Sequence, residues 1–344
     1  MRHDPTPAAS KLTIPVELRT GLPYANLIAK QALFAATVGE VFGIDPRSAI
    51  PMPGTTGAIE AVRNHVFRIS GKTTPTVLTV CPGYWRARES FAGFGFSVRA
   101  VHTKPLGFSI DESSIVDEAR QAPADLIYLS LPNNPTGAVF DPGSIIESAP
   151  RETAIVFDMT LPARGLDTKN LASRLYEKFN GRRNLFLAGS TSKSHATAEL
   201  RVGWLICANS EDAALLKEEN RNVVASDAID RGIEALYSTP SVFPAIEESF
   251  AFLEEGERTN SLEIIRPDRR VETGYVLIKP RLSPDESRRT LGDLNIRVMW
   301  GSEFGLDDEY IRLETLEPAN IRVFVDAVRE AVSAKSGRPG REVR

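Results

Sequence analysis

Five short apolar runs constrain the fold of this chain more than any other feature. Each run is nearly continuous rather than alternating, which is typical of strands buried on both faces of a sheet. The stretches between the runs show helical periodicity: in residues 57–67, Ile59, Val62 and Val66 fall on one stripe. This order of elements predicts an α/β fold with a mostly parallel sheet. The runs are residues 77–81, 126–131, 154–157, 185–188 and 204–207.

The pattern changes after about residue 250, where short strands and a helix that begins near Pro318 predict a small α+β domain. The predicted strands are 275–278, 296–299 and 310–313. The residues of the helix expected to face inward are Ile321, Phe324, Val325 and Val328. The predicted division is an N-terminal segment and helix (1–44), a large domain (45–245), the small domain (246–334) and a disordered tail (335–344).

Composition and charge argue against several classes of protein. The net charge of the 344-residue chain is -4, and its Lys and Arg residues are spread throughout, unlike those of a nucleic-acid-binding surface. No apolar run approaches the roughly 18 residues of a membrane helix, and residues 1–10 lack the apolar core of a signal peptide. Cys81 and Cys207 lie in apolar runs; a disulfide is conceivable, but buried free thiols are the expectation. We expect a cytoplasmic protein without a membrane, nucleic-acid or metal site.

The segment Ser190-Thr191-Ser192-Lys193 follows a predicted strand, and Arg201 comes eight residues after the lysine. A lysine at a strand end is partly desolvated, which lowers its pKa and makes the neutral amine a nucleophile toward an aldehyde. Arg201 and the nearby hydroxyls could hold a phosphate dianion. Pyridoxal 5'-phosphate (PLP) requires both features, an imine to the protein and an anchor for its phosphate. Taken alone, however, such a spacing more often belongs to solvated surface charges.

Polar residues also follow two other predicted strands. Asn134 lies in the segment 131–137, at the edge where α/β sheets place ligands, and could donate its amide to a phenolic oxygen. The alternative is a simple Asn-Pro turn. Asp158 ends the run 154–157 and could keep a pyridine nitrogen protonated, which makes the ring an electron sink. The alternative is a helix cap or a surface loop residue.

Two further segments fit a phosphorylated planar ligand. Gly54, Thr55 and Thr56 open a predicted helix, whose N-terminal backbone amides could bind phosphate; the alternative is an ordinary helix N-cap. Tyr84 follows the run 77–81 and could lie flat on a planar cofactor, or it could be an interface or core tyrosine.

Arg312 lies inside an apolar run of the predicted small domain. A half-buried arginine needs a carboxylate partner, which could be the carboxylate of a substrate held by two hydrogen bonds. The alternative is an ion pair within the protein, to Glu303 or Glu314.

Together and in this order, the segments resemble the fold-type I PLP-dependent enzymes, specifically the class I/II aminotransferase family and its histidinol-phosphate aminotransferase and threonine-phosphate decarboxylase branch. The resemblance extends from about residue 24 to 332. It implies the fold of PLP transferases of type I, an α/β fold with a large, mostly parallel-sheet domain and a small α+β domain. It also implies pyridoxal 5'-phosphate as cofactor, an amino-acid substrate and a homodimer.

The resemblance implies a role for each residue singled out above. Lys193 is expected to form the Schiff base and then to act as general base, with Asp158 on the pyridine nitrogen. Asn134 is expected to contact the phenolic oxygen and the substrate, and Arg312 the substrate carboxylate. Tyr24 is a candidate for the tyrosine that reaches the site of the neighbouring subunit. The other implied cofactor contacts are Gly54, Thr55, Thr56, Tyr84, Thr160, Ser190, Ser192 and Arg201.

The sequence departs from the family at two positions near this site. Most members carry a tyrosine three residues after the strand-end aspartate, and its hydroxyl shares the phenolic oxygen. Here that residue is Leu161, so we expect a raised imine pKa; the decarboxylase branch also lacks the tyrosine.

His195 could be an additional acid/base group or only a polar loop residue. The segment before Tyr24 also lacks the Asn-Glu-Asn-Pro stretch of many members, which favours specialised biosynthesis.

The predicted function is that of a PLP-dependent enzyme acting on the α-amino group of an amino acid, most readily an aminotransferase that produces a keto acid. One alternative is a PLP-dependent decarboxylase, lyase or cyclase acting on a modified amino acid. The other is a non-catalytic binding protein with the same fold.

Overall fold

A computed structural model describes residues 23–220 and 223–336, with side chains for residues 26–220 and 223–335. In this part of the chain seven strands form one sheet. They are β1 (Ala49–Met52), β2 (Thr76–Cys81), β3 (Ser97–His102), β4 (Leu126–Ser130), β5 (Ala154–Asp158), β7 (Leu185–Ser190) and β8 (Gly203–Cys207). Their order across the sheet is β1-β8-β7-β5-β4-β2-β3. All five apolar runs are strands of this sheet.

The sheet is mostly parallel, as predicted. Each neighbouring pair in the row β7-β5-β4-β2-β3 is parallel, whereas β8 is antiparallel to both β7 and β1. Strands β1 and β3 were not predicted. β1 contains Pro51, which normally argues against a strand but is tolerated here because β1 lies at the edge of the sheet. β3, at the other edge, is only partly buried and lacks a continuous apolar run.

Helices cover both faces of the sheet, and alternate strand residues face opposite cores. In β5, for example, Ile155 and Phe157 enter one core, and Ala154 and Val156 enter the other. The helices of the large sheet are α1 (Pro23–Phe42), α2 (Gly54–Ser70), α3 (Trp85–Phe94), α4 (Glu112–Gln121), α5 (Pro142–Ser148), α6 (Thr168–Phe179), α7 (Ser210–Glu219) and α8 (Ser226–Tyr237).

Several of these helices begin at a residue whose side chain caps the free backbone amides of the first turn. The capping residues of α4, α5, α6 and α7 are Asp111, Asp141, Asp167 and Asn209. Helix α2 differs, because its N-cap is Pro53 and no side chain caps it. Its first turn therefore keeps its amides available at the edge of the sheet.

A second sheet, in the order β12-β13-β11-β9, lies in the C-terminal part, and its neighbouring strands are antiparallel. Its strands are β9 (Leu262–Ile264), β11 (Tyr275–Pro280), β12 (Met299–Trp300) and β13 (Ile311–Glu314), and its helices are α9 (Phe243–Arg258), α10 (Pro284–Asp293) and α11 (Pro318–Ser336). The two-residue strands β6 (Ala163–Arg164) and β10 (Glu272–Thr273) pair with each other outside the two main sheets.

Most of the predicted C-terminal elements are present. The inward residues predicted for the last helix, Ile321, Phe324, Val325 and Val328, are all buried. The strand predicted at 296–299 is wrong except at its end: Asn295 has a φ of 53°, and pairing begins only at Met299. Strand β9 was not predicted.

Two other expectations concern the cysteines and the helices of the described residues. Both cysteines are free and buried. None of the described helices has the length and apolar character needed to cross a membrane. Residues 337–344 of the predicted tail lie outside the described residues.

Candidate active site

The predicted site residues meet at the carboxyl ends of the parallel strands, where open α/β sheets bind ligands. A cavity of about 120 Å³ lies there. The predicted residues that line it are Thr55, Thr56, Tyr84, Asn134, Asp158, Thr160, Ser190, Ser192, Lys193 and Arg201. Ser130, Leu161 and Tyr275 also line it, and Tyr275 was not singled out in the sequence.

Asp158 lies at the floor of this cavity, at the end of β5. Its Oδ2 accepts a hydrogen bond from the hydroxyl of Tyr128 (3.1 Å), and its Oδ1 accepts one from the backbone N–H of Thr160 (3.0 Å). Burial raises the pKa of Asp158, although both hydrogen bonds act to lower it. Because these two donors are neutral, a cationic ligand atom facing the carboxylate would offset its desolvation.

One end of the cavity has the features of an anion site. The hydroxyls of Ser190 and Ser192 are buried, and neither makes a hydrogen bond to any described residue. The uncapped first turn of α2 begins beside them. Arg201 donates to Thr56 Oγ1 (3.4 Å) and to the carbonyl of Pro53 (3.3 Å), both long contacts to neutral acceptors. Buried hydroxyls without partners, free amides and a guanidinium together suit a phosphate group.

Gly54 is required by the geometry of this anion site. Its φ is +69°, a left-handed conformation, and a Cβ there would lie 2.7 Å from Nη2 of Arg201. Beside it, the hydroxyls of Thr55 and Thr160 are hydrogen-bonded to each other. This contact joins the start of α2 to the loop after β5.

Asn134 and Tyr84 complete the wall of the cavity. Asn134 is 5% exposed, and its backbone N–H donates to the hydroxyl of Ser130 (3.1 Å). The preceding Asn133 holds the loop in place through hydrogen bonds to the carbonyl of Pro82 and to Thr136. Tyr84 is the N-cap residue of α3, and burial, with a contribution from nearby Asp158, raises the pKa of its phenol.

Lys193 enters the cavity from the loop after β7. Its Nζ lies 3.1 Å from Oε1 of Glu314 and 5.1 Å from the centre of the Tyr275 ring. Burial acts to lower the pKa of Lys193, but Tyr275 and Glu314 outweigh it, and the pKa is raised. The expectation of a lowered pKa is therefore wrong, because no local pattern indicates the carboxylate of Glu314, which lies 121 residues further along the chain.

Arg312 lies next to this cluster without an ion-pair partner among the described residues. Its Nη1 donates to Oδ1 of Asn134 (3.4 Å), its guanidinium stands 4.0 Å from the centre of the Tyr275 ring, and its Nε is buried without a hydrogen bond. The alternative of an internal ion pair is not what the structure shows, because Glu314 pairs with Lys193 and Glu303 accepts from the backbone of Trp300.

His195 lies on a different and larger cavity of about 700 Å³. The two cavities share Thr160, Leu161 and Ser190 in their walls. The Nδ1 of His195 lies 2.8 Å from the hydroxyl of Ser194, and burial lowers the pKa of His195. The structure therefore does not place His195 in the same cavity as Lys193.

Tyr24 lies in the first turn of α1, but its side chain is outside the described residues, so its proposed contact remains a prediction. The sequence did not identify Tyr128, Tyr275 or Glu314 as members of the site. Each of them lies within a regular strand or at its end, and its residue type alone carried no signal that distinguished it from a structural residue.

The sequence matches the family model for aminotransferase class I and II over residues 24–259. A histidinol-phosphate aminotransferase from Symbiobacterium thermophilum is 26% identical over 259 residues, which cover 71% of this chain and 68% of that protein. Two further curated proteins named histidinol-phosphate aminotransferase 2 are matched over only 46% and 62% of their lengths.

Two solved structures share the architecture. Histidinol-phosphate aminotransferase from Sinorhizobium meliloti, in complex with pyridoxal-5'-phosphate, has a TM-score of 0.70 at 17% identity, covering 89% of this chain and 82% of that one. L-threonine-O-3-phosphate decarboxylase from Porphyromonas gingivalis has a TM-score of 0.68 at 17% identity, covering 90% of this chain and 93% of that one. At these identities the likeness establishes the fold alone.

Proposed function

Because the chain belongs to the aminotransferase class I and II family, we propose that it is a PLP-dependent aminotransferase that removes the α-amino group of an amino acid and leaves a keto acid. The observation that carries the proposal is the meeting, in one cavity, of Lys193, the buried carboxylate of Asp158 and two buried serine hydroxyls without partners. An amine, an acid and an anion site are the three groups that PLP requires of a protein.

The residues of the cavity fit this cofactor group by group. Ser190, Ser192, Arg201 and the first turn of α2 would hold the phosphate, and Gly54 leaves them room. Asp158 would face the pyridinium nitrogen, and Tyr84 and Asn134 line the wall beside it. When bound, PLP supplies an aldehyde for exchange with amines and a ring that draws electrons from the substrate α-carbon.

The protein's own groups then direct the reaction. The ε-amine of Lys193 moves a proton at the substrate α-carbon, since it is the cavity's primary amine. The guanidinium of Arg312 binds the substrate α-carboxylate, because its Nε has no partner and its charge has no carboxylate of its own. Asp158 keeps the facing nitrogen protonated, because its own buried charge is stabilised only by neutral donors and so favours a cation opposite.

Decarboxylation, elimination or cyclisation on a modified amino acid is the second candidate. Leu161 favours it, since a buried apolar side chain stands where most family members carry a tyrosine hydroxyl. Which bond of the substrate breaks depends on its orientation to the ring, so a changed hydrogen-bond donor at this position bears on the outcome.

We extend the proposal to the state of the protein in the cell. The active form would be a cytoplasmic homodimer, with Tyr24 of one subunit reaching the site of the other, and the substrate would belong to specialised biosynthesis. These statements rest on the family resemblance and on the absence of an Asn-Glu-Asn-Pro stretch from residues 1–23. The large and small domains are proposed at 45–245 and 246–334.

The experiment that tests the function is a spectral titration of the purified, PLP-treated protein with each of the twenty amino acids. A visible absorption band that changes with particular amino acids, with release of keto acid and no carbon dioxide, supports the aminotransferase. Carbon dioxide without keto acid moves the assignment to a decarboxylase. A protein that neither binds PLP nor responds to any amino acid contradicts the proposal.

A further inference from the structure

Lys193 lies in the loop after β7 of the large sheet, Glu314 lies in the C-terminal sheet, and their side chains meet beside the cavity that Lys193 lines. Glu314 is the last residue of β13, and its Oε1 is 3.1 Å from Nζ of Lys193. Tyr275 stands directly opposite Glu314 on the neighbouring strand β11. Residues two apart on a strand share a face, so Arg312 and Glu314 lie on the same side of β13.

The carboxylate of Glu314 stands near two cations. Its charge acts on both Lys193 and Arg312, and the charge of Glu303 also acts on Arg312. Glu314 pairs with Lys193, while Arg312 donates from Nη1 to Oδ1 of Asn134 and from Nη2 to the sulfur of Met299, and stands over the ring of Tyr275. Glu314 therefore forms its ion pair with the amine of Lys193 and not with the guanidinium of Arg312.

We propose that Glu314 is a positioning residue for Lys193, holding the free ε-amine as an ammonium ion against the cavity wall whenever that amine is not covalently bound. The proposal deepens the proposed function, because it concerns the amine expected to form the imine. The ion pair itself requires no cofactor, so it can be tested in the protein without PLP.

The groups that face the amine define what Glu314 adds. From the C-terminal sheet these are Glu314, Tyr275 and Arg312, of which Tyr275 lines the cavity together with Lys193. From the side of the large sheet, Tyr84, Asp158 and Arg201 line the same cavity. Only Glu314 forms an ion pair with the amine among the described residues. A carboxylate beside an ammonium ion favours the charged form, so its removal should make the amine reactive at lower pH.

The expected effect is modest, because half of the Glu314 side chain and 28% of the Lys193 side chain are exposed. Partly exposed ion pairs contribute at most about 1 kcal/mol. That corresponds to a shift of at most roughly 0.7 pH unit in the protonation of the amine, or about fivefold in its reactivity below the midpoint.

The experiment uses the full-length protein freed of cofactor. Brief pulses of acetic anhydride across a range of pH acetylate unprotonated amines, and mass spectrometry of the peptides follows each lysine separately. Glu314→Gln should lower the midpoint of Lys193 acetylation by up to roughly 0.7 unit. Glu314→Asp keeps the charge on a shorter side chain and should give a smaller shift; it also serves if the glutamine variant does not fold.

A matched control lies close by, between strand β11 and the turn that precedes β13. Glu309 pairs with Lys279 at 2.5 Å, with side-chain exposures of 49% and 34%. Glu309→Gln should shift the acetylation midpoint of Lys279 and leave that of Lys193 unchanged, while Glu314→Gln should do the reverse. If Glu314→Gln leaves the Lys193 profile unchanged, or if both variants shift it equally, Glu314 does not hold the amine.

A second titration separates this proposal from the proposed function. Absorbance of the imine after addition of PLP should show half-maximal formation at a lower pH for Glu314→Gln than for the wild type. If the wild type never forms an imine, the proposed function fails while the acetylation profiles still decide the ion pair. If PLP binds and neither profile changes in the variant, only the role of Glu314 is lost.

Discussion

The buried hydroxyl of Tyr128 donates a hydrogen bond to the carboxylate of Asp158 across a distance of 3.1 Å. Tyr128 and Asp158 lie on the neighbouring strands β4 and β5, and Tyr128 is only 1% exposed. Tyr128 thus orients the carboxylate of Asp158 from the neighbouring strand. Asp158 also lines the cavity, where its carboxylate could contact a cationic ligand atom.

Replacing Asp158 should change activity and stability in opposite directions. Asp158→Asn should lower turnover by on the order of 10³-fold, as expected for the loss of a preorganised charge. Burial raises the pKa of Asp158 in the folded chain, so its ionisation costs stability above the pKa of the unfolded state. Without cofactor, the variant should therefore unfold at a higher temperature than the wild type at pH 7.

That difference in unfolding temperature should shrink as the pH falls through the raised pKa of folded Asp158 and vanish below about 4, the pKa of an unfolded aspartate, because both states then carry the proton. Tyr128→Phe is the control: it removes one neutral hydrogen bond worth about 1 kcal/mol and should cost turnover only several-fold. A tenfold or smaller loss of turnover in Asp158→Asn would contradict the assigned role.

Lys193→Ala should abolish the borohydride-reducible linkage between the protein and PLP. Lys169 offers a sharp comparison, because burial lowers its pKa and makes it the better nucleophile on that ground alone. It lines the larger cavity, however, and not the one that contains Asp158. Peptide mapping of the reduced protein should place the adduct on Lys193 in the wild type and in Lys169→Ala; an adduct on Lys169 would refute the site.

Gly54→Ala should weaken PLP binding by about tenfold or more. The new methyl group would displace Nη2 of Arg201 from the anion site, in addition to the roughly 1 kcal/mol cost of a left-handed alanine. Gly71→Ala is the matched control, since Gly71 has a similar φ of +62° and open space around it. Both variants should lose similar unfolding free energy, but only Gly54→Ala should lose affinity for PLP in a fluorescence titration.

Arg312→Lys should lower kcat/KM for amino acids by at least about tenfold, because a lysine cannot donate two parallel hydrogen bonds to a carboxylate. Binding of PLP should be unchanged, since Arg312 stands outside the phosphate end of the cavity. The comparison is a set of amines that lack a carboxylate, for which the variant should lose little. Equal losses for both kinds of substrate would show that Arg312 has a structural role.

Leu161→Tyr should lower the pKa of the imine, which is read from the absorbance of the PLP-bound protein across a pH titration. A hydroxyl at this position would donate to the phenolic oxygen and favour its anionic form. Leu161 is buried but borders the larger cavity, so space exists for the ring. An unchanged imine pKa, with PLP still bound, would show that Asn134 alone controls this oxygen.

Local patterns in the sequence were enough to predict the large sheet and the residues at its carboxyl edge. The near-continuous apolar runs identified strands buried on both faces, and the residues that follow such strands must meet at one edge. Strand β1 was not predicted because it contains Pro51, and a proline normally argues against a strand. This proline is tolerated because β1 lies at the edge of the sheet.

The contacts of Lys193 could not be predicted in the same way. Its partners Tyr275 and Glu314 lie 82 and 121 residues further along the chain, in the other sheet. No spacing reveals which face of one sheet meets which edge of another. The sequence therefore identified the amine but assigned the wrong direction to its pKa shift, because that shift depends on a long-range contact.

Strand β13 carries Arg312 and Glu314 two residues apart on one face, beside the cavity that Lys193 lines. A small rotation of this strand relative to the large sheet would move the charges of Arg312 and Glu314 together, because both side chains are attached to the same short strand. Any motion that brought the guanidinium toward a substrate carboxylate would also alter the distance between the glutamate and the amine. With Arg312 on the substrate carboxylate and Glu314 on Lys193, as proposed, substrate capture and release of the lysine would be coupled through β13, and a mutation that loosens this strand should affect both together.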